Sequence, residues 1–298
     1  NRTSGGWPLT MFLDENGVPF MGGTYFPKIS KHGLPSFKEI LKNISDVYKN
    51  QREKIIQQKD LILKNLDLKK NSVLHQDLEP ILDMSLNQLD TIKGGYKGAP
   101  KFPTFNLYET LIYFFNKTKE KKYFKPTELM VEKLCSKGIY DHVEGGIARY
   151  TVDEDWIVPH FEKMLYDNGQ LLSIFAKAYK LTKRPLYKDL ISDTHRFIED
   201  KMTSSDGLIF SSISAVTDYG DKKIEGDYYV WNQDDLKKYL EDDYEIFENY
   251  YNINSQGYWE KDKYVLRRTK SNKDFSKDYK IQEKKLKSKI QSFKNILK

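Results

Sequence analysis

The sequence predicts a mainly α-helical chain, in which helix pairs begin an α/α toroid and a short α/β piece precedes them. Three observations predict it. Between residues 78 and 203, apolar residues recur at helical spacing in consecutive segments. Long loops dense in glycine, proline and charge separate those segments in pairs. Before residue 67, two short apolar runs flank an Asn-Gly turn and lead into a helical stretch.

The α/β piece comes first. Leu9–Leu13 reads as a strand, Asp14–Gly17 as a turn and Val18–Phe20 as a second strand, which Pro19 pushes toward a sheet edge. Residues 36–66 are helical by period, with Phe37, Ile40, Leu41, Ile44, Val47 and Tyr48 on one face. Two strands and a helix cannot cover both faces of a sheet, so this piece calls for more strands. The chain starts at Asn1, in what reads as the middle of a fold, and a fragment is expected. Residues 67–76, rich in Lys and Asn, read as a linker.

The helix pairs follow. Leu78–Ile92 forms one amphipathic run, with Gly94 as its expected C-cap. Leu107–Phe115 marks a second helix. Pro126 is expected at the first position of a third that stops near Gly138. Residues 163–182 and 185–203 give a fourth and a fifth, the latter opened by Pro185. Leu208–Ile213 and Asp227–Trp231 read as strands, and Asn232 as the cap of a short helix through Leu240. The toroid part is expected over 77–270 and a Lys-rich helical tail over 271–298.

Composition narrows the function classes. The chain has 298 residues, 39% apolar and 31% charged, with no apolar run long enough for a membrane helix. The formal charge of +6 resides in residues 271–298, where nine lysines meet three acids; the rest is balanced. No nucleic-acid partner and no membrane partner is expected. The one cysteine, Cys135, lies on an apolar helix face, so no dithiol or disulfide is available, and the usage fits a reducing cytoplasm.

Four places could carry chemistry. Trp7–Pro8, directly before a strand, is a candidate cis peptide bond. The stretch 139–168 holds His142, His160, Arg149 and seven acids, among them Asp141, Asp153, Glu162 and Asp167, around a Gly145–Gly146 turn. Paired carboxylates with a histidine can run acid/base chemistry on a sugar. The same residues could instead bind a metal, or serve as a salt-bridged tie between helix pairs. The two histidines match no metal-ligand spacing, so neither metal nor cofactor is called for. Lys163 and Asp167 are spaced to pair on an exposed helix face. The third place is the loop Gly94–Pro103, with Lys101 on a shaped backbone; the fourth is a set of aromatics including Trp156, Tyr150 and Trp231 that could stack on a sugar or fill the core.

Six segments stand in one family's order: Gly-Gly-Trp-Pro-Leu-Thr, Gly-Gly-Thr-Tyr-Phe-Pro, Ala-Pro-Lys-Phe-Pro, Arg-Tyr-Thr-Val-Asp-Glu-Asp-Trp, Val-Pro-His-Phe-Glu-Lys-Met-Leu-Tyr-Asp-Asn and Glu-Gly-Asp-Tyr-Tyr-Val-Trp. The chain resembles the thioredoxin-domain family that includes spermatogenesis-associated protein 20. The resemblance implies the C-terminal part of a thioredoxin-like domain over 1–66, with Pro8 as its cis-proline, and then part of an (α/α)6 toroid similar to six-hairpin glycosidases and sugar epimerases. The family's cysteine motif is not in this chain, and Ser214 and Val216 stand where the family carries acids.

The resulting expectation is a carbohydrate-directed protein, epimerase- or hydrolase-like. His160 is the expected acid/base, with Glu162 and Asp167 sharing the proton work. Arg149, Asp153, Asp141, His142 and Lys101 would contact a small sugar, and Trp156 would stack on it. The alternative is a non-catalytic binding or redox-adaptor module. An incomplete toroid is expected to self-associate through its uncovered flank.

Overall fold

The computed structural model describes residues 8–57, 59 and 78–298, and the chain divides into two units, residues 1–76 and 77–298. In the first unit, β1 (Thr10–Leu13) and β2 (Pro19–Gly23) form an antiparallel pair with Thr10 opposite Gly23 and a register shift at Phe12–Leu13. The turn between them is closed by Asp14, whose Oδ1 accepts from the amides of Asn16 and Val18, both at 2.9 Å. Pro19 opens its strand, where a missing N–H costs no ladder bond. Helix α1 (Phe37–Asn50) starts with a reciprocal cap: Ser36 accepts from the Glu39 amide, and Glu39 accepts from the Ser36 amide. The expected single helix over 36–66 is broken at Gln51 and resumes over 52–57. The Trp7–Pro8 peptide bond and the 67–76 linker lie outside the described residues.

The second unit is a layered α/α array. Helices α2 (Leu78–Gln88), α3 (Phe105–Thr118) and α4 (Lys121–Ser136) are followed by β3 (Lys163–Met164), α5 (Leu165–Thr182) and α6 (Pro185–Phe197). The pairs α3–α4 and α5–α6 each turn on a left-handed residue, Lys119 and Lys183 respectively. They then pack side by side, α3 against α5 and α4 against both α5 and α6. This is the hairpin-on-hairpin packing of a partial α/α toroid. Its apolar stripes meet in one core: Leu111 and Tyr108 of α3, Val131 and Leu134 of α4, Leu171 and Phe175 of α5, and Tyr187 of α6 are all almost fully buried. Each such side chain contributes about 1.5–3 kcal/mol by leaving water.

Several boundaries differ from the sequence reading. Helix α2 ends at Gln88, so Gly94 belongs to the turn beyond it and is no C-cap. Helix α4 begins at Lys121 and carries Pro126 inside it, because Tyr123 is anchored in the core and extends the helix upstream. The expected strand at Asp227–Trp231 is a 3-10 turn over Asp227–Tyr229. The main hairpin is instead β5 (Val216–Asp218) with β6 (Lys223–Glu225), and β4 (Ser212–Ile213) pairs with β3. Asn232 caps α7 (Gln233–Leu240) as expected, its side chain accepting from the Asp235 amide.

After α7 come α8 (Tyr244–Tyr251), α9 (Asn272–Asp278) and α10 (Glu283–Leu297); β7 (Trp231–Asn232) pairs with β8 (Lys263–Tyr264). Residues 271–298 pack into the second unit. Phe275, Leu286, Ile290, Phe293 and Leu297 pack with Leu236 and Phe247 in a second core, while most of their lysines face outward. Among the described residues, no helix is long and apolar enough to cross a membrane.

Candidate functional site

The loop 137–164, between α4 and α5, has two faces. Pro159, Phe161 and Lys163 line an inner cavity of about 30 Å³, room for a water or two. His160 and Glu162 are not part of that lining.

The inner face is a clasp. Asp141 Oδ1 accepts from the Val143 and Glu144 amides at 2.9 and 3.0 Å, which shapes the turn at Gly145–Gly146. Gly145 sits at φ +92°, and a Cβ there would lie 2.5 Å from the Asp193 carbonyl oxygen, so the position accepts only glycine. Lys163, almost fully buried, donates to Asp141 Oδ2 at 2.7 Å and to the Gly145 carbonyl at 2.9 Å. Its ammonium also lies over the rings of Phe197 and Tyr229. Burial pushes the Asp141 carboxyl up, but Lys163 and the two amides outweigh it and hold the group below its usual range. The expected Lys163–Asp167 surface pair is therefore absent: α5 starts at Leu165, so the helical spacing does not apply to Lys163. Glu144 completes the inner face by accepting from Tyr228 at 2.8 Å and from Lys201 at 2.7 Å.

The outer face holds a half-exposed cluster. The Arg149 amide donates to the Glu162 carbonyl and the His160 amide to the Tyr150 carbonyl, so the two segments run as a ribbon. This stacks His160 on Tyr150 with ring centres 4.8 Å apart, and Tyr150 on Phe102 at 4.6 Å. His160 Nε2 lies 3.6 Å from Glu225 Oε1, and its Nδ1 is buried without a partner. Arg149 pairs with Glu162 at 3.3 Å, and Tyr166 also acts on its guanidinium. Asp167 lies in the first turn of α5, 8% exposed, with Oδ2 unpartnered. Burial pushes its carboxyl up to about 7, with Arg149 opposing the shift and Glu162 adding to it. The cluster thus joins an acid that holds its proton near neutrality, an ion-paired carboxylate, an imidazole and a stacked aromatic face.

Five of the expected contacts lie elsewhere. Trp156 is wholly buried, donates Nε1–H to the Lys93 carbonyl at 2.9 Å and packs on Gly95, so no ring face is free to stack on a ligand. Asp153 accepts from the amides of Asp155, Ile157 and Val158 and is a loop organiser. Lys101 is buried beneath Trp156 and donates to the Gly94 carbonyl at 2.8 Å; burial pushes its ammonium down. Asp141 is committed to Lys163. His142 is buried between Tyr140 and Tyr251, and burial, then Arg268 and Lys294, push its imidazole down to about 3. Arg149, Glu162 and Asp167 are brought together, and His160 stands on the same ribbon with Tyr150 and Glu225 as its side-chain neighbours. The sequence reading missed three neighbours: Glu225, Tyr166 and Phe102. Each stood inside a quoted motif. Among the described residues, no group of three or more His, Cys, Asp or Glu side chains could hold a metal ion.

Residues 1–67 match a thioredoxin-related family of the DsbH type described as a protein of unknown function, DUF255. The uncharacterized protein B0495.5 of Caenorhabditis elegans is 30% identical over 322 residues, covering 98% of this chain and 44% of that protein. Spermatogenesis-associated protein 20 of Homo sapiens is 30% identical over 253 residues, covering 80% of this chain and 32% of that protein. The chain belongs to the thioredoxin-domain family of spermatogenesis-associated protein 20. It spans less than half the length of these relatives.

Two solved structures are similar over part of this chain. Cellobiose 2-epimerase from Spirochaeta thermophila DSM 6192 has a TM-score of 0.39 and 19% identity, over 47% of this chain and 41% of that one. The GH76 α-mannanase BT2949 of Bacteroides thetaiotaomicron has a TM-score of 0.34 and 14% identity, over 73% of this chain and 60% of that one. In this member of the spermatogenesis-associated protein 20 family, the Ser214 hydroxyl accepts from the Val216 amide. Val216 is paired across the hairpin with Glu225, so the acid beside His160 comes from the opposite strand.

Proposed function

We propose that the chain carries a carbohydrate-directed acid/base site on the outer face of the 137–164 loop. The observation that supports it most is Asp167: a buried carboxyl with an unpartnered oxygen and an affinity for its proton matched to neutral pH, within electrostatic reach of Arg149 and Glu162. In this reading His160 takes a proton from the substrate and Asp167 gives one to it, so the two transfers balance. Glu225 stabilises the imidazolium that forms on His160. The Arg149–Glu162 pair aligns hydroxyl groups. Phe102, Tyr150 and Tyr166 offer the partly exposed aromatic surface on which a sugar ring rests. A buried carboxyl that keeps its proton, working with a separate base, is a recurrent basis for such chemistry.

The test is a saturation-transfer NMR screen of mono- and disaccharides against the chain. The expected result is transfer to ring protons of at least one sugar, abolished in E162Q and in H160A with the helical circular dichroism unchanged. Absence of transfer from every sugar, or transfer that survives both substitutions, would overturn the proposal and favour a non-catalytic binding module. A dithiol role for this chain is not supported: its one cysteine, Cys135, is buried, and burial pushes its thiol up.

A further inference from the structure

A second cavity, of about 270 Å³, lies between α6 and α10 and is lined also by Tyr250 and Tyr251 of α8. Its wall holds Arg196, Arg268 and Lys294 against one carboxylate, Asp193, which leaves two positive charges there; Lys287, further along, is balanced by Asp189 and by Glu283 at 4.0 Å. Asp193 is shared by Lys294 at 2.7 Å and Arg196 at 3.3 Å, and Asp189 meets Lys287 at 3.8 Å. Arg268 is the exception. It is 9% exposed, no carboxylate pairs with it among the described residues, and its Nε is buried with no hydrogen-bond partner. Its guanidinium lies over the Tyr250 ring at 4.8 Å and is tied through Nη2 to Asn272 at 2.7 Å. A desolvated guanidinium without a counter-charge is costly, and its fixed fork is preorganised for an oxyanion.

We propose that this cavity is a seat for the phosphoryl group of a small phosphate monoester. The excess of two positive charges over Asp193, from Arg268, Arg196 and Lys294, matches a phosphate monoester, which carries about −1.5 to −2 near pH 7, and exceeds what one carboxylate would neutralise. Arg268 supplies the buried donor, and Lys294 and Arg196 supply charge at the flank. The cavity is far larger than a water site, which needs only about 10–15 Å³ in the same measure, and Ser192 and Gln291 on its wall offer neutral partners for hydroxyl groups. The positive potential already acts on the neighbouring His142, whose charged form is disfavoured by Arg268 and Lys294 after burial itself. None of the residues named for the Asp167 cluster lines this cavity.

The experiment is isothermal titration of the full chain with inorganic phosphate, glucose 6-phosphate and glucose at constant ionic strength. The expected result is saturable binding of inorganic phosphate and glucose 6-phosphate, none of glucose, and a loss of about tenfold or more in K294Q and in R268Q. Equal affinity for phosphate and glucose 6-phosphate supports the seat and makes the phosphoryl group its whole determinant. Tighter glucose 6-phosphate supports it and extends recognition to the hydroxyls. R196Q and K294Q, both nearer the surface, keep the test decisive if R268Q does not fold. No saturable binding at up to about 10 mM, or unchanged affinity in both R196Q and K294Q, overturns the proposal. E162Q, which tests the sugar site, is expected to leave phosphate affinity unchanged, so the two readings fail separately.

Discussion

Replacing Asp167 with asparagine keeps the shape of the side chain and removes its ionisation. In the folded chain, burial raises this carboxyl from 3.8 to about 7. The folded state therefore binds a proton that the unfolded state has released, and stability declines as pH rises between about 4 and 7. A shift of this size corresponds to a penalty of about 4 kcal/mol once the pH exceeds the folded value. At about pH 5 most of that penalty has yet to appear, so moving from about pH 5 to about pH 8 costs the parent roughly 2–3 kcal/mol more than D167N. Urea unfolding of parent and D167N, followed by the fluorescence of Trp156, Trp231 and Trp259 within the second unit, measures the difference. D167N is expected to be the more stable protein at alkaline pH and to lose sugar turnover if the proposed site operates. A stability difference that stays constant across this range would refute the assignment of Asp167 as a proton-holding acid.

Three further outcomes are expected. K163M strands the buried Asp141 carboxylate and is expected to cost about 3–5 kcal/mol in urea unfolding, with much of the loss recovered in D141N/K163M. His142 acts with the opposite sign to Asp167: its imidazole is pushed down to about 3, so stability falls as pH drops below its unfolded value of 6.5. H142F is expected to soften that acid limb by about 3 kcal/mol at about pH 4, read from acid titrations monitored by circular dichroism. G95A places a Cβ 2.5 Å from Trp156 Cζ2 at a φ of +72° and is expected to lower stability by about 2–3 kcal/mol in thermal melts at matched pH.

Helix pairing was legible in the sequence because a 3.6-residue stripe has to face a core. The stripes of α3, α4 and α5 all do so. The cap at Asn232 was legible for a similar reason, since a short polar side chain there satisfies an amide that the helix leaves open. The loop was legible only as a density of charge. Which of its residues face outward depends on a ribbon closed by the Arg149 and His160 amides, and no periodicity encodes that. Lys101 was assigned to ligand binding because a cationic side chain on a shaped glycine-rich loop resembles a site, and Trp156 because an aromatic face can stack on a sugar. Their burial follows from Gly95, which lets the indole lie on the backbone with the lysine beneath it. Glu225 was out of reach for a different reason: its nearness to His160 is set by strand register sixty-five residues downstream.

The two-faced loop also bears on how this family can vary. The inward residues, Asp141, Lys163 and Glu144, anchor the fold, and the outward ones, Arg149, His160 and Glu162, carry little of its packing. A substitution at an outward position can therefore exchange the displayed chemistry one side chain at a time while the scaffold holds.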